Sequence, residues 1–341
     1  MERKVNNFDC KEENDMFFSP LPVKKDATIK EFYSLGTIIQ FKVYGNKAER
    51  AIDKATDRIK DIDNKMSVFK ECSELSKINH NAGIRAAKVG KDTYFVIRKA
   101  VEYSALSGGA FDPTIRPVVG LWGIQTDHAR IPNNDEIDAG INLVNYKDII
   151  LDEKDSSIML KREKQELDVG AIAKGFAADE VKNVLKKNKI KSALINLGGN
   201  IFAMGNKIDG TPWNIGIQDP LKSRGEIVLS INVKNKSVVT SGNYERYFIH
   251  NGKRFHHIID PLTGNPSEKG ILSTTIVSDH SIDGDALSTC AFVMGLNRGM
   301  ALIESIKGVD AIFITENKIV YTTSGIKENL SLLNNDFYYE N

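Results

Sequence analysis

Helical and strand patterns are interleaved along this chain without strict alternation of strand, helix and strand. Apolar residues at helical spacing predict helices over 47–66, 73–79, 93–107, 134–141, 171–188, 283–294 and 298–306. β-branched and alternating runs predict strands over 32–44, with Gly36 inside, 192–196, 213–218, 226–233, 237–240, 247–250 and 273–277, and hairpins over 149–160 and 311–323. This order predicts an α+β fold with mixed sheets and packed helices.

The polar segment 1–26, punctuated by Pro20 and Pro22, is predicted to be an irregular lead-in to a single domain over residues 27–335. A chain of 341 residues, 41% hydrophobic and 27% charged, can bury a sizeable core. The formal net charge of +1 provides no overall field that would attract nucleic acid or an anionic membrane. Any anionic ligand must therefore be held by local groups.

The three cysteines, Cys10, Cys72 and Cys290, are odd in number and widely spaced, so we expect neither a disulfide framework nor a zinc cluster. The N-terminus lacks the apolar region of a signal peptide, and no run approaches the roughly 18 apolar residues of a membrane span. The chain as written is therefore predicted to be soluble and cytoplasmic. A chain from which an export signal had been removed would show the same pattern.

The segment 256–266, His-His-Ile-Ile-Asp-Pro-Leu-Thr-Gly-Asn-Pro, combines two imidazoles and a carboxylate with sharp turn signals. Asp-Pro and Gly-Asn-Pro mark turns, so the chain is expected to leave a strand and bend, with His257 and Asp260 near the strand end. Groups at a strand end can be held rigidly around a ligand. Taken alone, the segment describes a surface hairpin with an Asx-turn equally well.

Two glycine-bearing clusters lie at predicted element ends. In Gly-Gly-Ala-Phe-Asp-Pro-Thr at 108–114, the glycines let the backbone approach a ligand closely, and Asp112 can accept bonds from an adenine amino group or a ribose. In Leu-Asp-Val-Gly-Ala-Ile-Ala-Lys-Gly at 167–175, a helix begins just after Asp168. The free N–H groups of that helix start suit a phosphate, and Lys174 adds a positive charge. The P-loop sequence is absent, and an ordinary helix stop or cap is the alternative for each segment.

Three further clusters have the same character. Asn-Leu-Gly-Gly-Asn at 196–200 requires a tight turn, and Thr-Ser-Gly-Asn-Tyr-Glu-Arg at 240–246 offers hydroxyls, a ring and a charge pair. In the predicted helix that begins at residue 283, Asp285 and Thr289 are four residues apart and share a face. Their oxygens are hard ligands that suit Mg²⁺, although a helix cap with a back-bonded Thr289 is the simpler alternative. Together the clusters provide what a nucleotide pyrophosphate site with one metal requires.

In this order and spacing, the motifs resemble those of the ApbE family, the flavin transferases that use FAD to modify proteins. The resemblance runs from about residue 32 to residue 333. It includes SLGT at 34–37, MSVF at 66–69, GAFDPT at 109–114, LWG at 121–123, LDVGAIAKGFAAD at 167–179, NLGGN at 196–200, SGNYERY at 241–247, HHIIDPLTG at 256–264 and DALST at 285–289. The resemblance implies a compact α+β fold with FAD held in a cleft between two halves. It also implies a Mg²⁺-dependent reaction that attaches FMN through a phosphoester to a threonine of a partner protein and releases AMP.

The resemblance also implies the site residues. Mg²⁺ would be held by the carboxylate of Asp285, the hydroxyl of Thr289 and the backbone carbonyl of Ala171, where some relatives have a side-chain hydroxyl. FAD would be bound by Leu35, Phe69, Ala110, Phe111, Asp112, Asp168, Lys174 and Ile259. Leu35 replaces a methionine of some members and should keep an apolar contact. Lys174 replaces a glutamate found in others and favours pairing with the pyrophosphate.

His257 is the expected catalytic residue, because the family pattern places its histidine directly before Ile-Ile-Asp-Pro. This ranks His257 above His256. An imidazole that titrates near neutrality suits a general base, here for the threonine proton, and His257 could also contact the pyrophosphate. Phosphoryl transfer depends on positioning and charge neutralisation more than on covalent chemistry, which agrees with this set of residues.

Two other functions would use the same residues. In a Mg²⁺-dependent FAD pyrophosphatase, water would replace the threonine and the products would be FMN and AMP. A non-catalytic FAD-binding protein would need no metal ligands, yet Asp285 and Thr289 are both present. A structural adaptor would leave the polar clusters unexplained.

The partner implied by the resemblance is an acceptor protein with a motif like Asp-x-x-(Ser/Thr)-Gly-Ala-Thr, usually a subunit of an ion-pumping or electron-transfer complex. Family members commonly work outside the cytoplasmic membrane, often as lipoproteins. Cys10 lacks the apolar stretch that a lipobox requires, so the localisation stays open between a cytoplasmic member and a chain without its export signal.

Overall fold

The computed structural model describes residues 27–124 and 126–340, so the predicted lead-in over 1–26, with Cys10, lies outside the described residues. The described helices are α1 (Ala48–Met66), α2 (Glu74–His80), α3 (Lys91–Leu106), α4 (Arg116–Trp122), α5 (Asn134–Ile141), α6 (Ala173–Lys187), α7 (Ser281–Met294) and α8 (Leu296–Glu304). None of the helices in this part of the chain combines the length and the apolar character that a membrane crossing requires.

The strands alternate with these helices only in part. They are β1 (Thr28–Ser34), β2 (Thr37–Tyr44), β3 (Ala87–Lys88), β4 (Ile149–Asp152), β5 (Ser157–Leu160), β6 (Ser192–Leu197), β7 (Asn200–Met204), β8 (Trp213–Gln218), β9 (Ile227–Val233), β10 (Lys236–Gly242), β11 (Tyr247–His250), β12 (Lys253–His256), β13 (Ile271–Ser278), β14 (Asp310–Thr315), β15 (Ile319–Thr322), β16 (Leu330–Leu332) and β17 (Tyr338–Tyr339).

Nine of these strands form one central sheet in the order β1–β2–β6–β7–β10–β13–β14–β15–β17. Its neighbours are antiparallel, except β15 and β17, which run parallel. The strand β17 therefore joins the sheet beyond the domain end predicted at residue 335. The mixed sheets and inserted helices confirm the predicted α+β class.

Each face of the central sheet has its own apolar core. Helices α1, α3, α6 and α7 supply one core, and the small sheet β16–β9–β8 supplies the other. Adjacent residues of a strand point to opposite faces, so on β13 Ile276 lies in the helical core and Val277 in the small-sheet core. Burying one such aliphatic side chain stabilises the fold by about 1.5–3 kcal/mol.

A third, smaller core fixes the segment that leads to His257. It contains Trp122 from α4, together with Ile137 from α5 and Ile259. The ring of Phe255 on β12 stacks on Trp122 at 5.6 Å between centroids, and the Trp122 indole N–H donates to the carbonyl of Gly264 at 2.7 Å. Helix α4 therefore holds both the strand before His257 and the turn after it.

The single strand predicted over residues 32–44 was wrong, because β1 and β2 are two antiparallel strands joined at Leu35 and Gly36. Both turn residues are left-handed, with φ of 53° and 69°, as a two-residue hairpin turn requires. Leucine rarely adopts this conformation, and the apolar alternation continues across the turn. Gly36 was therefore the only local signal of the turn.

Helix α4 and the strands β3, β7, β16 and β17 had no predicted counterpart, and the strand expected before His257 was given no bounds. Strand β7 is buried along its whole length and shows no alternation. Strand β12 is only four residues long and polar, with the sequence Lys-Arg-Phe-His. Helix α4 is only seven residues long and contains Gly120, and Pro117 lies in its first turn, where proline is tolerated. Helix α7 was predicted but begins two residues earlier, at Ser281.

Candidate active site

His257 follows directly after β12, so the strand fixes its backbone as predicted. Its backbone N–H and its ring Nδ1–H both donate to the carbonyl of Arg246, at 3.0 and 3.2 Å. Because a carbonyl only accepts, Nδ1 carries the proton and Nε2 keeps its lone pair. Nη2 of Arg246 donates in turn to the carbonyl of Gly36 at 3.1 Å, which ties the turn beside Leu35 to the histidine.

The surroundings of His257 keep its imidazole neutral. Its pKa does not lie near neutrality as predicted: burial is the main reason that it is lowered to about 3, and the positive charges of Arg246 and Lys174 lower it further. The residue still reaches solvent in part, so a substrate can approach it. A neutral imidazole with a free Nε2 is the form that accepts a proton in general base catalysis.

His256 has a different environment. It is 4% exposed, its Nε2–H donates to the carbonyl of Ser267 at 3.1 Å, and its Nδ1 accepts the N–H of Ile258 at 3.3 Å. Its ring also meets the Phe292 ring edge-on at 5.6 Å. Both ring nitrogens are used within the chain, which supports the ranking of His257 over His256 as the reactive imidazole.

Asp285 lies where α6 and α7 meet, and it is 4% exposed. Its Oδ2 accepts the N–H of Gly175 at 2.9 Å, and Nζ of Lys174 lies 3.4 Å from its Oδ1. A Cβ at Gly175 would lie 2.3 Å from the carbonyl oxygen of Ser281, so glycine is needed for this close approach of the helices. The packing therefore places a buried carboxylate against the start of α6.

The same hydrogen bond releases the carbonyl of Ala171. Regular helical bonding would direct the N–H of Gly175 to the carbonyl four residues earlier, which belongs to Ala171. The N–H meets Asp285 instead, whereas the next amide, that of Phe176, makes the regular bond to Ile172 at 3.1 Å. Two of the predicted metal ligands, Ala171 and Asp285, are thereby linked through one amide.

Thr289 lies one helical turn after Asp285 and completes a set of oxygen donors. Its hydroxyl is 3.4 Å from that of Ser241 on β10. Thr274 lies opposite Ser241 in the sheet register, and its buried hydroxyl has no hydrogen-bond partner. Directly opposed residues share a sheet face, so this unsatisfied oxygen belongs to the same polar region.

This donor set fits Mg²⁺ better than a softer metal. Within residues 27–124 and 126–340, no cluster of three or more His, Cys, Asp or Glu side chains is arranged to hold an ion. One carboxylate with hydroxyl and carbonyl oxygens suits Mg²⁺, which completes its shell with phosphate and water oxygens. In this structure the positively charged group next to the carboxylate of Asp285 is the ammonium of Lys174, at 3.4 Å.

Asp168 and Lys174 are joined through the loop that precedes α6. Oδ1 of Asp168 accepts the N–H of Gly170 at 2.7 Å, and Nζ of Lys174 donates to the carbonyl of the same glycine at 3.0 Å. Lys174 also approaches Asp285, so these predicted residues form one contiguous cluster at the start of α6. A phosphate would meet the positive end of the helix and the lysine together.

Phe69 and Leu35 provide apolar surface near these groups. The side chain of Phe69 is 79% exposed, and the guanidinium of Arg116 lies 5.2 Å from its ring centroid. Arg116 is also 3.9 Å from Oδ2 of Asp168. Leu35 is partly exposed in the β1–β2 turn, whose glycine bonds to Arg246.

Phe111 and Asp112 in the segment 110–112 are more deeply buried than residues of a typical ligand-binding loop. Phe111 is 3% exposed and belongs to the helical core. Oδ1 of Asp112 accepts both the N–H and the hydroxyl of Thr114, at 2.8 and 2.6 Å, and its Oδ2 accepts the N–H of Tyr146 at 2.8 Å. Burial raises the pKa of Asp112.

These carboxylate bonds hold the local structure, so contacts of Ala110, Phe111 and Asp112 with FAD stay predictions. The same holds for Ile259, which is 7% exposed and packs in the small core with Trp122.

Three residues of this site were not among the predicted ones. Arg246 and Ser241 lie in the polar cluster 240–246, but a carbonyl that accepts from His257 has no signature in a sequence. Arg116 stands alone before Pro117 and gives no signal at all.

The chain is similar to known proteins along most of its length. A family model described as the ApbE family matches residues 35–313. A protein from Treponema pallidum (strain Nichols), named FAD:protein FMN transferase, is 34% identical over 323 residues, which cover 90% of this chain and 89% of that protein. A protein of the same name from Klebsiella pneumoniae (strain 342) is 36% identical over 290 residues, covering 85% and 90%.

Solved structures show the same likeness. The crystal structure of the ApbE protein from Thermotoga maritima has a TM-score of 0.82 at 30% identity, covering 89% of this chain and 99% of that one. The flavin transferase ApbE from Vibrio cholerae has a TM-score of 0.80 at 26% identity, again covering 89% and 99%. The likeness therefore extends over nearly all of the described fold.

Proposed function

The chain belongs to the ApbE family, and we propose that it transfers FMN from FAD to a threonine hydroxyl of an acceptor protein and releases AMP. The observation that carries this proposal is the likeness to a FAD:protein FMN transferase over 90% of the chain. The chain is accordingly a transferase with FAD as its substrate. The residues around His257 and Asp285 support the finer chemistry.

FAD is expected to bind with its pyrophosphate at the start of α6. The ammonium of Lys174 and the positive dipole end of α6 attract that anion, whereas the N–H groups of Ala173 and Gly175, predicted to be free, already donate to Val169 and Asp285. The exposed ring of Phe69 and the side chain of Leu35 offer apolar contacts to the planar parts of FAD. Asp168 holds the loop between these groups through its bond to Gly170.

Asp285, Thr289 and the carbonyl of Ala171 are the residues that would hold Mg²⁺, which neutralises pyrophosphate charge and stabilises the departing AMP when bound. The buried carboxylate, the released carbonyl and the nearby hydroxyls support this assignment. A divalent cation at Asp285 would replace Lys174 as the counter-ion of that carboxylate. The ammonium of Lys174 would then be available to a pyrophosphate oxygen.

The proposed chemical step uses His257 as the base. Nε2 takes the proton of the threonine hydroxyl, and the threonine oxygen forms a bond to the phosphorus of the FMN half. The anhydride bond to the AMP phosphate breaks, and AMP leaves with the electron pair. The carbonyl of Arg246 holds the Nδ1–H throughout, so Nε2 stays aimed at the substrate. The negative pyrophosphate raises the basicity of the imidazole relative to the free protein.

The acceptor is proposed to be a protein with a motif like Asp-x-x-(Ser/Thr)-Gly-Ala-Thr, in a subunit of an ion-pumping or electron-transfer complex. Attachment of FMN to it would be a post-translational flavinylation. The near-neutral charge of the chain gives no support to a nucleic-acid substrate.

Quantifying AMP in the presence and absence of acceptor tests the proposal. With FAD, Mg²⁺ and an acceptor domain that carries the motif, we expect one AMP for each FMN attached. Without acceptor, FAD should stay intact. Rapid formation of FMN and AMP without acceptor would identify a pyrophosphatase, and binding of FAD with no cleavage under any condition would identify a flavin-binding protein.

A further inference from the structure

Phe69 has the most exposed side chain among the large hydrophobic residues of the described chain, at 79%. A loose loop does not explain this exposure. The N–H of Phe69 donates to the hydroxyl of Ser67 at 3.2 Å, and Nζ of Lys70 donates to Asn64 at 2.8 Å and also pairs with Asp63. The loop after α1 is therefore fixed by its own hydrogen bonds and presents the ring outward.

One side chain from another element reaches this ring. The guanidinium carbon of Arg116, the first residue of α4, lies 5.2 Å from the ring centroid of Phe69. Its nitrogens lie 3.8 Å from Glu166 and 3.9 Å from Asp168, distances that are too long for hydrogen bonds. The N–H donors of Arg116 therefore stay available while its guanidinium lies over the Phe69 ring.

We propose that Arg116 is a positioning residue for FAD. Its guanidinium lies over one face of the Phe69 ring and restricts the orientation of that ring. The opposite face, which is exposed to solvent, then receives a planar heteroaromatic group. Both the adenine and the isoalloxazine of FAD have this chemistry. The inference rests on the proposed function, since it takes FAD as the ligand of the site.

The physical basis is preorganisation of an aromatic surface. A phenyl ring on an exposed loop would otherwise lose rotational freedom when a ligand stacks on it, and that loss weakens binding. A guanidinium over the ring restricts it before the ligand arrives. The two carboxylates at 3.8 and 3.9 Å keep Arg116 in place without using its donors.

FAD titration of Arg116→Ala and Arg116→Lys tests the proposal in the full chain. For Arg116→Ala we expect Kd and KM for FAD to rise about fivefold, a change that matches a partly exposed cation–π contact. The kcat should stay within about twofold, because Arg116 does not touch the reacting atoms. Arg116→Lys keeps the charge without the planar face, so its Kd should lie between those of Arg116→Ala and the unaltered protein.

Arg98 provides a matched control. Its guanidinium lies 5.6 Å from the ring of Phe95 on α3, a similar pair outside the candidate site. Arg98→Ala should leave Kd and KM for FAD unchanged. If Arg116→Ala lowers the midpoint of thermal unfolding, the titration is repeated with Arg116→Gln, which keeps most of the side-chain length.

The double variant Arg116→Ala/Phe69→Ala separates positioning from a general structural role. If Arg116 acts through the ring, its replacement should have no further effect on FAD affinity once Phe69 is alanine. Titrations with ADP and with FMN identify the stacked ring, because only the half of FAD that lies on Phe69 should lose affinity in Arg116→Ala.

An unchanged Kd in Arg116→Ala, or an equal effect in both backgrounds, would overturn the proposal. Failure of the unaltered protein to bind FAD would instead overturn the proposed function. The two failures are therefore distinguishable in one titration series.

Discussion

The backbone carbonyl of Arg246 accepts both the amide N–H and the ring Nδ1–H of His257, at 3.0 and 3.2 Å. One acceptor thereby fixes the position of the residue and the tautomer of its ring. The free Nε2 is the only site on this imidazole where a substrate proton can be received.

Replacing His257 by asparagine should slow transfer by at least about 100-fold, the usual contribution of a positioned general base. The Kd for FAD should change by no more than about threefold, because the base acts on the acceptor hydroxyl. Single-turnover transfer at saturating FAD is the measurement. The matched variant His256→Asn should lose stability but keep most of its activity while folded, and a full transfer rate in His257→Asn would remove the base assignment.

Acid should destabilise the protein through His256. Burial lowers its folded pKa to about 4, below the ordinary value of 6.5, so the unfolded chain binds more protons over that interval. The contribution of neutral His256 to the free energy of unfolding is fully present above pH 6.5. It is lost as the pH falls from 6.5 towards 4, with about 2 kcal/mol lost by pH 5. Urea unfolding at pH 7 and pH 5 measures the total loss, to which the lowered pKa of His257 also contributes, and the difference between the unaltered protein and His256→Asn gives the share of His256.

Removing the charge of Asp285 should abolish the response to Mg²⁺. The variant Asp285→Asn can keep the bond from Gly175 but presents a neutral ligand, so the thermal stabilisation by Mg²⁺ with FAD should disappear and transfer should fall by at least about 100-fold. Asp283→Asn is the control on the same helix, because Asp283 bonds to Tyr103 instead. Equal Mg²⁺ responses in both variants would contradict the metal assignment.

Gly175→Ala should be strongly destabilising. The added Cβ would lie 2.3 Å from the carbonyl oxygen of Ser281 and 2.6 Å from Cα of Ile282, so α6 and α7 would have to separate. We expect a loss of about 2–4 kcal/mol in the free energy of unfolding. Gly120→Ala, in an exposed part of α4 with nothing within 4 Å, should instead stabilise by about 0.5–1 kcal/mol. Thermal unfolding of the two variants compares them directly.

The sequence predicted most helices because their buried faces repeat at helical spacing, as in α1, where Ile52, Ile59 and Ile62 are all buried. Strands were less predictable wherever alternation was missing or misleading. The turn at Leu35 interrupts an unbroken alternating run, and β7 is buried on both faces. In both places the strand pairing, rather than the local pattern, decides the structure.

The candidate site was predictable to the extent that it consists of side chains in motifs. His257, Asp285 and Lys174 were predicted from their segments and the family resemblance, and the structure brings Lys174 and Asp285 together. The carbonyls of Arg246 and Ala171 owe their roles to backbone geometry, which no residue type encodes. The internal bonds of Asp112 depend on Tyr146, 34 residues away, and could not be inferred from the segment itself.

The intact mass of an acceptor domain, measured after incubation with the protein, FAD and Mg²⁺, tests the transferase assignment. We predict a gain of one FMN residue, lost with EDTA, in Asp285→Asn, and when the acceptor threonine is replaced by alanine. An acceptor of unchanged mass, while FAD is cleaved to FMN and AMP, would contradict the transferase assignment.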